Sequence, residues 1–180
     1  DASKTTFTVR TNLNFFTAKT GLNYRLSYVL LESGMIAYQQ GDYPAAQQAL
    51  ESGLAGCQLA GPQGRRGVGW GLIFLGDLAL HSGDAELARS RFEASVALLR
   101  ELADYGLLAY PLRRLGHMAL QQGDFITATA RCAESLQLNQ AIDDRLAVAA
   151  CLAALAAIAA AEGQAATGAQ RMQHLRHAAN

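Results

Sequence analysis

Apolar or small residues recur along this chain at i, i+3, i+4 and i+7 in four places, each just ahead of a glycine. The stripes are Leu30, Ser33, Gly34 and Ala37 before Gly41, and Leu72, Leu75, Gly76 and Ala79 before Gly83. Leu112, Leu115, Gly116 and Ala119 precede Gly123, and Leu152, Leu155, Ala156 and Ala159 precede Gly163. That spacing marks one face of an α-helix. After each glycine a small residue is followed four positions later by a larger one: Ala46/Leu50, Ala88/Phe92, Ala128/Cys132 and Gly168/Met172. The pattern predicts helix A, tight turn, helix B, written four times. The marker glycines are 42, 40 and 40 residues apart.

The turn explains why "QGD" recurs. Glycine adopts positive φ and ends helix A. The following Asp42, Asp84 and Asp124 cap helix B, while Gln164 takes this place in the fourth unit. Pro44 falls in a first helical turn, where a missing N–H costs little. The same reasoning applied to Pro111 starts that helix A near Gly106. The helices are predicted near 22–40, 44–59, 66–82, 85–103, 107–122, 125–140, 144–162 and 165–178. The junctions "AGPQGR", "ADYG" and "AIDD" carry turn residues. The units are then about 22–59, 66–103, 107–140 and 144–178, forming one continuous solenoid over 21–180. Residues 1–20 fit least well. Phe7, Val9, Leu13 and Phe15 suggest a period of two, whereas Val9, Leu13 and Phe16 suggest a helix. They are read as a helix B, or cap, left over from a preceding repeat.

The 180 residues, 51% hydrophobic and 17% charged, suit a packed domain rather than a disordered chain. Fifteen Lys plus Arg balance fifteen Asp plus Glu, and no basic stripe is visible. Direct nucleic-acid binding is therefore not expected. Cys57, Cys132 and Cys151 lack metal-binding spacing and lie in apolar helical contexts, as in a reducing cytoplasm. The run Leu146–Ala161 is read as too short and too rich in Ala for a membrane span. No signal peptide is visible, and the start at Asp1 suggests a segment of a longer protein.

The repeated pattern, L-x2-L-G-x2-A ahead of G-D-[YF]-x2-A-x3-[FL], resembles the tetratricopeptide repeat, which has a 34-residue period and a W-x2-L-G-x2-Y core. The resemblance covers about Tyr24 to Asn180. It departs in its longer period and in lacking the closing Pro. It implies an all-α fold, a right-handed αα-superhelix of about four helical hairpins. With "QGD" turns and the junction "GPQGRRGVGWGLIFLGDLAL", the chain is also similar to the helical-repeat regions of MalT-like and LuxR-type bacterial ATPase transcriptional regulators. That likeness implies a cytoplasmic, non-catalytic region that senses an inducer or binds a partner. The alternative is a free-standing adaptor for assembling protein complexes.

Positions broadly opposite the core stripes vary between units. They are Tyr28, Leu31, Glu32 and Met35; Trp70, Ile73, Phe74 and Asp77; Tyr110, Arg113, Arg114 and His117. The resemblance implies that this side of helix A lines a concave groove for a protein, peptide or small-molecule inducer. Aromatics with polar handles suit such a surface. The competing reading is that Tyr28, Trp70 and Tyr110 fill the junctions between units. The Asn and Lys clamp of chaperone-binding tetratricopeptide domains is not matched, since Leu31, Met35 and Ile73 stand there.

Candidate chemistry is sparse. "GPQGRRGVGWG" lacks the Lys and Ser/Thr of a P-loop, and after Gly67 and Gly69 the dinucleotide fingerprint fails at Leu72. It reads as a junction plus a helix with small residues for close packing. His174 and His177 are i, i+3 but have no third ligand nearby, while His81 and His117 stand singly. Asp143/Asp144 reads as a helix start. No cofactor, metal or catalytic set is expected. The nearly all-Ala helix A of the fourth unit should be covered by the last helix and the third unit, or by a second copy of the chain.

Overall fold

A computed structural model describes residues 22–178, so the reading of residues 1–20 lies outside the described residues. Seven α-helices pack in adjacent pairs, with no strand among the described residues. They are α1 (Leu22–Gln39), α2 (Tyr43–Leu59), α3 (Arg65–His81), α4 (Ala85–Glu101), α5 (Tyr105–Gln121), α6 (Phe125–Ala141) and α7 (Arg145–Ala178), with a short 3-10 turn at Gly61–Gly64. This is the all-α helical-repeat class expected from the stripes. The chain divides into two compact units, one ending at Asp104 and one beginning at Tyr105.

The turns obey one rule. Gly41, Gly83 and Gly123 have φ of 80°, 83° and 76°. The amide of the following Asp reaches back to the carbonyl of Ala37, Ala79 or Ala119 at 2.9–3.0 Å. Its carboxylate then accepts from the third residue on: Ala45 to Asp42 at 3.1 Å, Leu87 to Asp84 at 2.9 Å and Thr127 to Asp124 at 3.0 Å. One residue both stops a helix and caps the next, which satisfies orphan groups on each side. The hydrogen bond holds the exposed Asp124 carboxyl below its usual range.

The α4–α5 and α6–α7 turns use the same geometry without glycine. Ala103 and Asp143 stand at φ 51° and 55°. Behind them the Asp104 amide bonds the Leu99 carbonyl and the Asp144 amide bonds that of Asn139, both at 3.0 Å. Helices α2 to α6 are each 17 residues long, and all but one of their connections have three residues. The backbone unit is therefore one helix plus one turn. The exception lies between α2 and α3, where the 3-10 turn adds the two residues that lengthen the first period to 42. A β-carbon in the left-handed region costs about 1–2 kcal/mol. Ala103→Gly should therefore raise stability by about 1 kcal/mol, and Gly123→Ala should lower it by a similar amount. Urea midpoints at unchanged m-value check both.

Within each hairpin, a helix-A glycine receives a helix-B side chain sixteen residues on. A Cβ at Gly34 would lie 2.6 Å from Leu50 Cγ, at Gly76 2.7 Å from Phe92 Cε1, and at Gly116 2.5 Å from Cys132 Sγ. Leu50, Phe92 and Cys132 are all fully buried. In the second and third hairpins a buried serine ties the pair: Ser95 Oγ donates to the Gly69 carbonyl at 2.9 Å and Ser135 Oγ to that of Ala109 at 2.6 Å. In the first unit α3 packs against both α1 and α2. In the second, α7 packs against α5 and α6, where Ala119, Ala128, Cys132, Ala154 and Ile158 form the core.

Three expectations are corrected. Pro111 is not in a first helical turn. Helix α5 starts at Tyr105, as placed, but Pro111 lies buried in its interior. The fourth hairpin of 144–162 and 165–178 does not form, because α7 runs unbroken through Gly163. Gln164 replaces the capping Asp, and the Ala-rich flanks have high helix propensity. With no helix B folded back, α7 turns a different face inward. Cys151, Ala154 and Ile158 are buried, while Leu152 is exposed and Ala156 and Ala159 lie open. The length objection to a membrane span also fails. Arg145–Thr167 is a 23-residue stretch containing an 18-residue window of mean hydropathy 2.0, enough to cross by length and composition alone. Here one of its faces packs on its own unit. The side chains of His174 and His177 lie outside the described set.

Candidate functional site

In the first unit, α1 and α3 present aromatic residues toward one another because their A-type positions share a register. Tyr28 and Trp70 stack with ring centroids 6.1 Å apart and 28° between planes. Tyr24 meets Tyr28 edge-on at 4.9 Å, and Phe74 meets Trp70 edge-on at 5.9 Å. The result is a ladder of four rings, Tyr24–Tyr28–Trp70–Phe74, across neighbouring hairpins. Tyr24 is exposed; Tyr28, Trp70 and Phe74 are half-buried against Leu31, Leu50, Leu54, Cys57 and Leu75. Tyr28 and Trp70 thus fill the junction between these two hairpins, and the rings keep part of their surface in solvent.

The ladder has a polar edge. Arg66 Nε donates to Asp104 Oδ2 at 2.6 Å, which holds the guanidinium in its charged form. Arg65 pairs with Glu101. The Tyr28 hydroxyl is buried near Tyr24 and Arg66 without a hydrogen bond of normal geometry to either. Burial is the main reason its pKa is pushed up to about 12, with Tyr24 and Cys57 adding to the rise and the Arg66 charge opposing it. Tyr28 is thus neutral across the physiological range.

Three expected groove residues belong to the core. Leu31 is fully buried, Ile73 is 2% exposed and Asp77 is 1% exposed. A Cβ at Gly53 on α2 or at Gly71 on α3 would come within 2.9–3.0 Å of the Leu31 side chain. Helix A is covered twice, by its own helix B and by the next hairpin, and Leu31 fills the second contact. A single periodic stripe does not reveal a second buried face. Of the others in this unit, Glu32 is exposed and Met35 half-buried.

In the second unit Tyr110, Arg113, Arg114 and His117 are all half-buried. The guanidinium carbons of Arg113 and Arg114 lie 5.2 and 5.7 Å from the centre of the Tyr110 ring, within cation–π range. Burial, then the charges of Arg113 and Arg114, push the His117 imidazole below its usual pKa. This cluster is basic and aromatic, unlike the ladder.

A feature the sequence did not reveal lies on the B-helix side of the first unit. Helices α2 and α4 flank the end of α3 and leave a cleft of about 300 Å³. Leu75, Leu78 and Ala79 lie along α3; Tyr43, Pro44, Gln47 and Glu51 line the α2 wall; Leu87 and Arg91 line the α4 wall. The Tyr43 and His81 rings stack at 3.6 Å and 26°, and Tyr38 meets Tyr43 edge-on at 5.8 Å. Tyr43, Gln47 and Glu51 recur at four-residue spacing on one helix face, the only signal the sequence offered. The glycine-rich "GPQGRRGVGWG" serves packing: Gly64 abuts the Cys57 carbonyl and Gly67 abuts Cys57 Sγ and the Tyr28 ring. Cys57 and Cys132 are buried, which pushes their thiols up. Among the described residues no three His, Cys, Asp or Glu side chains are grouped to hold a metal ion.

No protein-family model matches the chain, and a comparison with curated proteins finds no significant relative.

Proposed function

We propose that this chain is a non-catalytic interaction scaffold of tetratricopeptide type that captures a protein or peptide partner through the ladder Tyr24–Tyr28–Trp70–Phe74. The supporting observation is the ladder itself: four aromatic rings held in mutual contact across two hairpins, with solvent-facing surface and an ion-paired edge. Rigid aromatics lose little side-chain entropy on binding and dominate binding energies at interfaces. The placement of this scaffold in a larger bacterial signal-responsive regulator rests on the sequence likeness alone. An upstream ATPase module or a DNA-binding helix-turn-helix in the full gene is the observation that tests it.

Trp70 is the only tryptophan, so its fluorescence reports on the ladder directly. Partner capture from a lysate of the source cell should shift its emission. Tyr24→Ala, at an exposed ring, should weaken capture by tenfold or more while leaving the circular dichroism spectrum unchanged. Capture that survives both Tyr24→Ala and Phe74→Ala at full strength overturns the reading.

A further inference from the structure

We propose that the cleft between α2 and α4 is a second docking site, for a peptide segment of a protein partner that carries a carboxylate beside an apolar side chain. It shares no residue with the aromatic ladder.

The chemistry of the walls selects this occupant. Leu75 and Leu78, with the 42%-exposed Leu87, offer an apolar surface. Burying one leucine-sized side chain there would gain about 1.5–3 kcal/mol before ordering costs. Charge then discriminates. The Glu51 carboxylate, held along α2 by the Gln47 amide at 3.0 Å, keeps its charge but is exposed, so water screens it more than it screens the half-buried Arg91. Arg91, half-buried on the facing wall, has no ion-pair partner among the described residues. A guanidinium beside apolar surface pairs with a planar carboxylate in two parallel hydrogen bonds, and partial exclusion of water strengthens that pairing. The volume, about 300 Å³, is at the small end for ligand pockets and fits one or two side chains of a passing peptide. The Tyr43–His81 stack gives one wall a preformed aromatic edge, which lowers the entropy cost of binding.

Nuclear magnetic resonance titration of the full chain tests this with three blocked tripeptides: acetyl-Leu-Asp-Leu-amide, acetyl-Leu-Lys-Leu-amide and acetyl-Gly-Asp-Gly-amide. The first should move the ring resonances of Tyr43 and His81 and bind at least tenfold more tightly than the other two. Arg91→Gln should erase the preference for Asp over Lys. Leu87→Glu, at a solvent-accessible position, should abolish binding without unfolding the chain. Equal binding of the Asp and Lys peptides, no shift at Tyr43 and His81, or an Arg91→Gln variant with wild-type preference each overturns the proposal. Tyr24→Ala should bind the first tripeptide normally, so failure here is distinct from failure of the ladder reading.

Discussion

Phe92→Ala is expected to cost about 3–5 kcal/mol, a large share of the stability of a domain this size. The ring is fully buried and lies where a Cβ at Gly76 would fall, 2.7–3.0 Å from Cε1, Cζ and Cδ1. Removing it leaves a void between α3 and α4 that close-packed backbones cannot collapse to fill. The companion variant sharpens the test. Gly76→Ala alone forces the ring to shift and should be destabilising, as overpacking is. In the Phe92→Ala background the same change enters empty space and also gains helix propensity of about 1 kcal/mol. The sign of Gly76→Ala should therefore reverse between the two backgrounds. Chemical denaturation of the four proteins, followed by Trp70 fluorescence, measures the coupling. A Gly76→Ala effect that is the same in both would show that the ring and the glycine do not share this space.

Gly64→Ala should be comparably severe for a different reason. A Cβ there would lie 1.8 Å from the Cys57 carbonyl oxygen and 2.6 Å from its carbon. Both obstacles are backbone of α2, so no rotamer change relieves them. Overpacking usually costs 1–3 kcal/mol, and this substitution should reach about 3 kcal/mol or more because the 3-10 turn must pull away from α2. Gly56→Ala offers the contrast. Its obstacle is Ser27 Oγ at 2.1 Å, a side-chain atom. Ser27→Ala should rescue Gly56→Ala in large part and should leave Gly64→Ala unrescued. Denaturation midpoints of these variants check both statements.

The fold was legible where one residue type had one job. Gly41, Gly83 and Gly123 announced left-handed turns, and the aspartates behind them announced caps, because few other residues serve there. The places of Gly34, Gly76 and Gly116 in the A stripes followed from helical spacing, whereas the side chains that fill them, Leu50, Phe92 and Cys132, are set by the packed hairpins. Legibility ended where tertiary structure decided. Ala103 and Asp143 take the same left-handed turn, but nothing in "ADYG" or "AIDD" marks it as strongly as glycine does. The fourth unit failed because Gly163 without a capping Asp stops nothing inside an Ala-rich run. The candidate groove residues divide between two environments. Tyr28, Trp70 and Phe74 do meet, yet Leu31, Ile73 and Asp77 belong to a second buried face that periodicity cannot separate from solvent. The cleft between α2 and α4 leaves no mark in the sequence beyond the spacing of Tyr43, Gln47 and Glu51, because Tyr43 and His81 meet only in three dimensions.

The shared turn has a consequence for how the chain finds its native pairing. Because the α4–α5 and α6–α7 joints have the same backbone geometry as the joints within hairpins, local conformation gives these helices little reason to choose the neighbour before them over the one after. The choice falls to side-chain volume: the notch at Gly34, Gly76 or Gly116 admits Leu50, Phe92 or Cys132, and a mismatched neighbour finds no such recess. The glycine notches thus separate two nearly degenerate arrangements of the same helices, and minimal frustration in this chain depends on a handful of absent methyl groups.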